Sequence, residues 1–488
     1  MSSLSLSNGP GVSLSVWLAL VSPSLLAGCS ERKPPQVARA PSPPTWSYEI
    51  RLAKHGILEA EAHFSEGAID DGTELSVTEG AEPFVSDVRA STGSVELRGT
   101  SWFVRGCATG CTLRYTFALR EAARTLRDDE VANRAGSALQ APPGTWLLRP
   151  LAARSGDRFR IAVSVPRDQT FVTGLTADRD ADAKGPPRLF SGAAISLGRG
   201  PFSVFGPLET TSMDIASAPL TLAITEGART ATRAELARWV ERSGRIVAQA
   251  FGRFPAASAL VAVLPGPPGR VGYGRVTASP LGGSILVDVG ADVTAAELAS
   301  DWVLVHEMIH LGFPSLERRH RWMEEGLATY LEPILRARGG LVSADELWND
   351  FARMMPNGTP QKGDRGLDGT PTWGRIYWGG ALFCFVADLE IRKATTNKKN
   401  LDDALRGILA AGGHNGVRWD IGDAFRVGDA ATGTTVLSQL YQGWKDAPVT
   451  VDLERLFGEL GVRLDGDSVR FDDGAPLAAM RRSMTAPR

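Results

Sequence analysis

The chain has little cysteine and almost no net charge. Its 488 residues carry 53 Lys and Arg against 55 Asp and Glu, with only six His and four Cys. The absence of a basic excess argues against nucleic acid as a partner, which would call for a basic domain or stripe. Four cysteines are too few for a disulfide scaffold in a chain of this length. Beyond the N-terminus there is no long apolar run. Composition is otherwise that of folded domains, at 43% hydrophobic and 22% charged, and excludes a disordered chain. At about 150 residues per domain the length allows roughly three domains. The preference for Arg over Lys and the wealth of Ala and Gly read as codon bias.

The first thirty residues depart from that average. Met1 to Ser30 contains no charged residue, and Val12 to Gly28 is mostly apolar. Small residues close the run at Leu25-Leu26-Ala27-Gly28-Cys29, which predicts a secretory signal peptide over 1–29. An uncleaved hydrophobic anchor is the alternative, and both readings export the chain. Leu-Ala-Gly-Cys resembles the bacterial lipobox. That resemblance implies a lipid on Cys29, and Ser30 in place of Asp implies sorting to the outer membrane, facing the periplasm. Residues 30–45, with Pro34, Pro35, Pro41, Pro43 and Pro44, read as a Pro-rich tether.

An oxidising compartment suits the next pair of cysteines. Cys107 and Cys111 bracket Ala108-Thr109-Gly110, and a three-residue hairpin loop with a left-handed Gly would set them opposite each other. A disulfide is expected; half of a zinc site would need a second Cys or His pair nearby. Cys384 lies in an apolar helical stretch and reads as a core residue.

Organisation follows hydrophobic period. Residues 46–225 show short alternating runs broken by Gly, Pro and Asp, which predicts a β-sandwich-like domain. At Thr232 the period becomes helical, opened by the capping box Thr232…Glu235. A strand is expected at Ala259–Val263, a Gly- and Pro-rich loop from there to Pro280, and a strand at Ser284–Val289. Gly269, Gly272 and Gly274 lack the following helix and Lys-Ser/Thr pair of a phosphate cradle. A second capping box, Thr294…Glu297, opens a helix expected to run to about Leu311. The expected fold class is multidomain α+β, with a second domain over 226–395 and a helical C-terminal region over 396–488.

The second of those helices contains His306-Glu307-Met308-Ile309-His310. Two His four apart lie one turn apart on one face, so both imidazoles can reach one metal ion. Glu307 between them is placed to take a proton from water. Uncompensated imidazoles on so apolar a helix would cost free energy. A tetrahedral catalytic zinc needs a third protein ligand and one open position. Downstream stands Trp322-Met323-Glu324-Glu325-Gly326-Leu327-Ala328. It resembles the Trp-x-x-Glu-Gly-x-Ala segment of gluzincin (thermolysin-like, HExxH…E) metallopeptidases. That resemblance implies a thermolysin-like catalytic domain over 226–395, with Glu325 as the third ligand and one Zn²⁺ bound per chain; Glu324 competes for the role. Gly326 would allow close helix packing.

Ile376-Tyr377-Trp378-Gly379-Gly380-Ala381-Leu382, running into Asp388 and Arg392, is similar to a helix of the bacterial glycyl aminopeptidase-like family. There, and in alanyl aminopeptidase-like enzymes, the matching Tyr stabilises the oxyanion, which implies that role for Tyr377. Gly379 stands where that family has Lys. Those families hold a free amine with acidic residues, partly on a strand edging the cleft. The matching strand reads here as Gly282–Leu286, without a carboxylate, so peptide-bond hydrolysis is expected while exo- or endopeptidase action stays open. Residues 357–374, crowded with Gly, Pro and Asp, are placed to gate the cleft. Arg375 is placed either to meet a substrate carboxylate or as an exposed structural residue; His320 and His414 read as structural or surface. The leading expectation is a zinc metallopeptidase at the bacterial cell envelope, acting on a peptide or protein and held to the membrane through its N-terminal lipid. The alternatives are a catalytically silent lipoprotein that uses the fold as a binding scaffold, and a hydrolase of a non-peptide amide.

Overall fold

A computed structural model describes residues 45–154, 156–178, 189–198, 200–227, 229–280 and 282–487. The leader, Cys29 and nearly all of the tether lie outside them. Among the described residues no helix is long and apolar enough to cross a membrane.

The first half is β-rich, as its alternation requires. Trp46, Tyr48, Ile50 and Leu52 point inward along strand Trp46–Leu52, which pairs antiparallel with Leu58–Phe64 and parallel with Arg158–Ser164. Three more strands complete a six-stranded sheet, and two four-stranded sheets stand beside it. The shared core holds Trp46, Phe64, Phe117, Trp146 and Phe205. The Cys107–Cys111 disulfide forms, with Cα atoms 5.1 Å apart, but does not link paired strands. Ser101–Arg105 belongs to a four-stranded sheet and Cys111–Phe117 to the six-stranded one. The bridge therefore closes a turn between two sheets, in which Gly110 donates to the Cys107 carbonyl at φ +95°.

The second half is organised by a mixed five-stranded sheet. Its order is Leu208–Ile215, Ala218–Thr225, Ala259–Pro265, Gly283–Val289 and Val271–Ala278. The first two strands pair into this sheet, so they leave the β-rich region to which alternation alone assigned them. Helix Arg233–Phe251, opened by the expected Thr232–Glu235 capping box, follows the second strand and precedes the parallel third. The stretch expected as loop before Pro280 is largely the edge strand Val271–Ala278, antiparallel to Gly283–Val289. Its glycines hid it, because a strand with few side chains carries little hydrophobic period.

Helices cover the rest. The single helix expected after Thr294 divides into Ala295–Ser300 and Val303–His310. Asp301 causes the break, accepting hydrogen bonds from the Val303 and Leu304 amides at 3.0 and 3.1 Å, and a carboxylate so placed satisfies first-turn donors. Helix Arg321–Arg338 crosses helix Gly380–Ala394. A Cβ on Gly326 would lie 2.3 Å from the Gly380 Cα, so two glycines face to face set the approach. Asp388 then accepts from Tyr330 (2.8 Å), Arg392 (3.1 Å) and the Leu401 amide (2.8 Å). The helices beyond 395, and the hairpin Val462–Asp465/Ser468–Phe471, share one core with the central sheet. Cys384 is buried in that core.

Candidate metal and catalytic centre

Helix Val303–His310 carries both histidines, and helix Arg321–Arg338 carries the acid one turn in from its start. His306 Nε2 lies 3.5 Å and His310 Nε2 3.6 Å from Glu325 Oε2. Three donors at such spacings can share one small cation, since metal–ligand bonds of about 2.0–2.2 Å at tetrahedral angles put ligand atoms roughly 3.4 Å apart. Each group offers one atom within 4.8 Å of the others. The donor set fits a borderline-soft divalent ion with an open position. Glu324 turns away and accepts from the Leu316 amide at 3.0 Å, which separates the two competing carboxylates.

Arg321 completes the third donor. Its Nε and Nη2 hold Glu325 Oε1 at 3.2 and 3.0 Å, leaving Oε2 aimed at the imidazoles. Such outer contacts fix ligand orientation. Burial pushes the Glu325 carboxyl up, but the His306 hydrogen bond and the charges of His310, His306 and Arg321 overcome it and hold it at about 2. Burial, then the His306 charge, lowers His310 to about 4. For His306 burial is outweighed by Glu325, Glu307 and Glu332, and its pKa is raised.

Glu307 lies against the edge strand. A Cβ on Gly274 would fall 2.4 Å from Glu307 Cγ and 2.8 Å from Oε1, so only glycine leaves the carboxyl its place. Burial raises Glu307 to about 7, against the His306 charge. Tyr377 stands on a π-helical segment, Gly374–Gly379, that leads into helix Gly380–Ala394. Such turns recur at functional sites. It is half-buried and lines the cleft shared with both histidines, Glu325 and Arg321, while burial and the Glu325 charge raise its pKa.

The cleft encloses about 1360 Å³. Its edge strand presents Arg275, paired with Asp288 at 2.9 Å and Asp129 at 3.3 Å. The strand expected to edge it, Gly282–Leu286, lies inside the sheet instead. Arg375 is neither exposed nor available to substrate. It is buried, paired with Asp364 at 2.8 Å, and donates to the Gly358 carbonyl. The segment 357–374 is likewise pinned. Asp368 meets His320 Nδ1 at 2.9 Å, Trp322 Nε1 at 2.7 Å and the Tyr441 hydroxyl at 3.0 Å. His320 is therefore structural, as expected, and His414 accepts from the Gly416 amide. Sequence reasoning missed Tyr273, Gly274, Arg275 and Arg321. The first three sat in an expected loop, and Arg321 lacked a motif of its own.

No family model matches the chain, and no curated protein matches it in sequence. Solved structures do. An aminopeptidase N family protein from Idiomarina loihiensis superposes with a TM-score of 0.65 at 12% identity, covering 86% of this chain and 78% of that one. An M1 zinc metallopeptidase from Deinococcus radiodurans gives 0.52 at 17% identity, covering 84% and 94%. A mutant of the latter bound to a Tyr-Ser-Ala substrate gives 0.53 at 16% identity, covering 84% and 94%. The fold is thus that of aminopeptidase N-like proteins, with a β-rich N-terminal part and a helical C-terminal part.

Proposed function

We propose that this chain is a zinc-dependent peptidase acting at the bacterial cell envelope, anchored through Cys29. The carrying observation is the convergence of His306, His310 and Glu325 at 3.5–3.6 Å beside Glu307. The fold shared with solved zinc metallopeptidases supports the peptidase reading, as does a cleft large enough for an extended peptide.

His306, His310 and Glu325 would hold the zinc. When bound, zinc supplies Lewis acidity, which lowers the pKa of water towards roughly 7 and polarises a carbonyl. Glu307 takes the proton of the attacking water on its carboxylate and passes it to the departing amide nitrogen. Tyr377 donates its hydroxyl hydrogen to the carbonyl oxygen as negative charge gathers there. Arg321 keeps Glu325 in register through its two bonds to Oε1. A silent scaffold would have no use for Glu307, whose seat against Gly274 is built at the cost of a side chain.

The test is a digest of mixed peptides, with free and blocked N-termini, by zinc-loaded full-length protein. Cleavage is expected. Intact peptides of both kinds would refute the peptidase reading, and cleavage of free N-termini alone would make the enzyme an aminopeptidase.

A further inference from the structure

Large aromatic side chains are normally withdrawn from water, and an exposed cluster of them marks a binding surface. Among the described residues three large aromatics are exposed: Tyr273 at 67%, Trp302 at 52% and Trp373 at 60%. All three line the catalytic cleft, and none of the exposed large aliphatics does. They come from three separate elements. Tyr273 is on the edge strand, Trp302 at the break before the histidine helix, and Trp373 just ahead of the π-helical segment.

Each ring also leans on a group of the centre. Trp302 meets His306 edge-on at 5.6 Å between centroids, and Trp373 lies 6.2 Å from Tyr377. Arg275 sits over Tyr273 at 5.8 Å. Several carboxylates of the cleft are already engaged, Asp129 and Asp288 by Arg275, Glu332 by Arg336, and Asp301 by backbone amides, whereas Glu130 and Asp350, also in its lining, are exposed and have no ion-pair partner among the described residues. The three rings are the exposed apolar surface of the cleft.

We infer that Tyr273, Trp302 and Trp373 are specificity-determining residues that receive bulky apolar or aromatic side chains flanking the bond to be cut. This rests on the peptidase reading above. Planar rings on short side chains bind such groups at small entropic cost and so serve as anchors.

The test uses zinc-loaded, full-length Glu307→Gln protein, so that peptides bind without being consumed. Calorimetry compares octapeptides, each with a free and with an acetylated N-terminus, in which Ser alternates with Phe and Leu, with Ala, or with Lys. The Phe/Leu peptide is expected to bind on the order of tenfold more tightly than the Ala peptide. That ratio should fall towards one when Trp373→Ala or Tyr273→Ala is added, with thermal melting unchanged. Equal affinities, a preference for Lys, absence of binding, or a ratio that survives both substitutions overturns the inference. Turnover of the same peptides by the unsubstituted protein separates the two failures. Cleavage without side-chain preference sinks the aromatic anchors alone, and no cleavage of any peptide sinks the peptidase reading with them.

Discussion

Glu325 divides its two oxygens between two tasks. Oε1 accepts both Arg321 bonds and Oε2 faces the imidazoles, so the guanidinium sets the direction from which the third donor approaches. Glu307 has no hydrogen-bond partner among the described residues and lies against Gly274. Its assigned work is proton transfer, and Glu307→Gln keeps the shape while removing the base. The variant should retain its zinc by elemental analysis and lose about a hundred- to ten-thousandfold in turnover of any cleaved peptide. Comparable rates would contradict the role. The histidines and Glu307 were legible in sequence because one helical turn fixes their geometry. Glu325 over Glu324 rested on resemblance, and the deciding fact, that Glu324 caps the Leu316 amide, depends on how a loop returns.

Elements differ in how plainly they announce themselves. The capping boxes at Thr232 and Thr294 formed as read, since a local hydrogen-bond exchange depends on four residues only. The edge strand did not, because Gly272 and Gly274 removed the alternation that marks a strand. Those same glycines make the strand useful. Gly274→Ala would drive a methyl into Glu307 from a backbone pinned by its pairing with Gly283–Val289. Turnover should fall on the order of 100-fold, as for other misplacements near 1 Å, while zinc content stays at the parental level. An alanine variant with parental kinetics would show that the strand does not position the base. The break at Asp301 was equally hidden, for apolar spacing runs through it unchanged and only the carboxylate's capping bonds end the helix.

At the scale of the molecule, the cleft is closed in by segments that long-range contacts hold. Asp368 ties the 357–374 segment to His320, Trp322 and Tyr441, which no sequence window could display. Burial pushes its pKa up, but the donors from His320, Trp322 and Tyr441 outweigh this and hold it below the usual carboxylate value. A lowered folded pKa adds stability that is fully present above the unfolded value of about 3.9 and fades as pH falls through the folded one. Asp368→Asn should therefore cost about 1–3 kcal/mol at neutral pH. The gap to the parent should narrow in denaturant titrations below about pH 4. A gap unchanged at acid pH would remove the ionised form from the explanation. Anchoring is a separate question. A clickable fatty acid should label the parent in bacterial cells and not Cys29→Ser; an unlabelled parent would make the protein periplasmic or secreted.

The central claim is that two imidazoles and one carboxylate, brought from neighbouring helices, hold a single divalent ion. Elemental analysis of full-length protein after dialysis against zinc and then buffer tests it most directly. About one zinc per chain is expected in the parent, with near-complete loss in His310→Ala and in Glu325→Ala. A parent that emerges without zinc, or variants that keep it, would contradict the account.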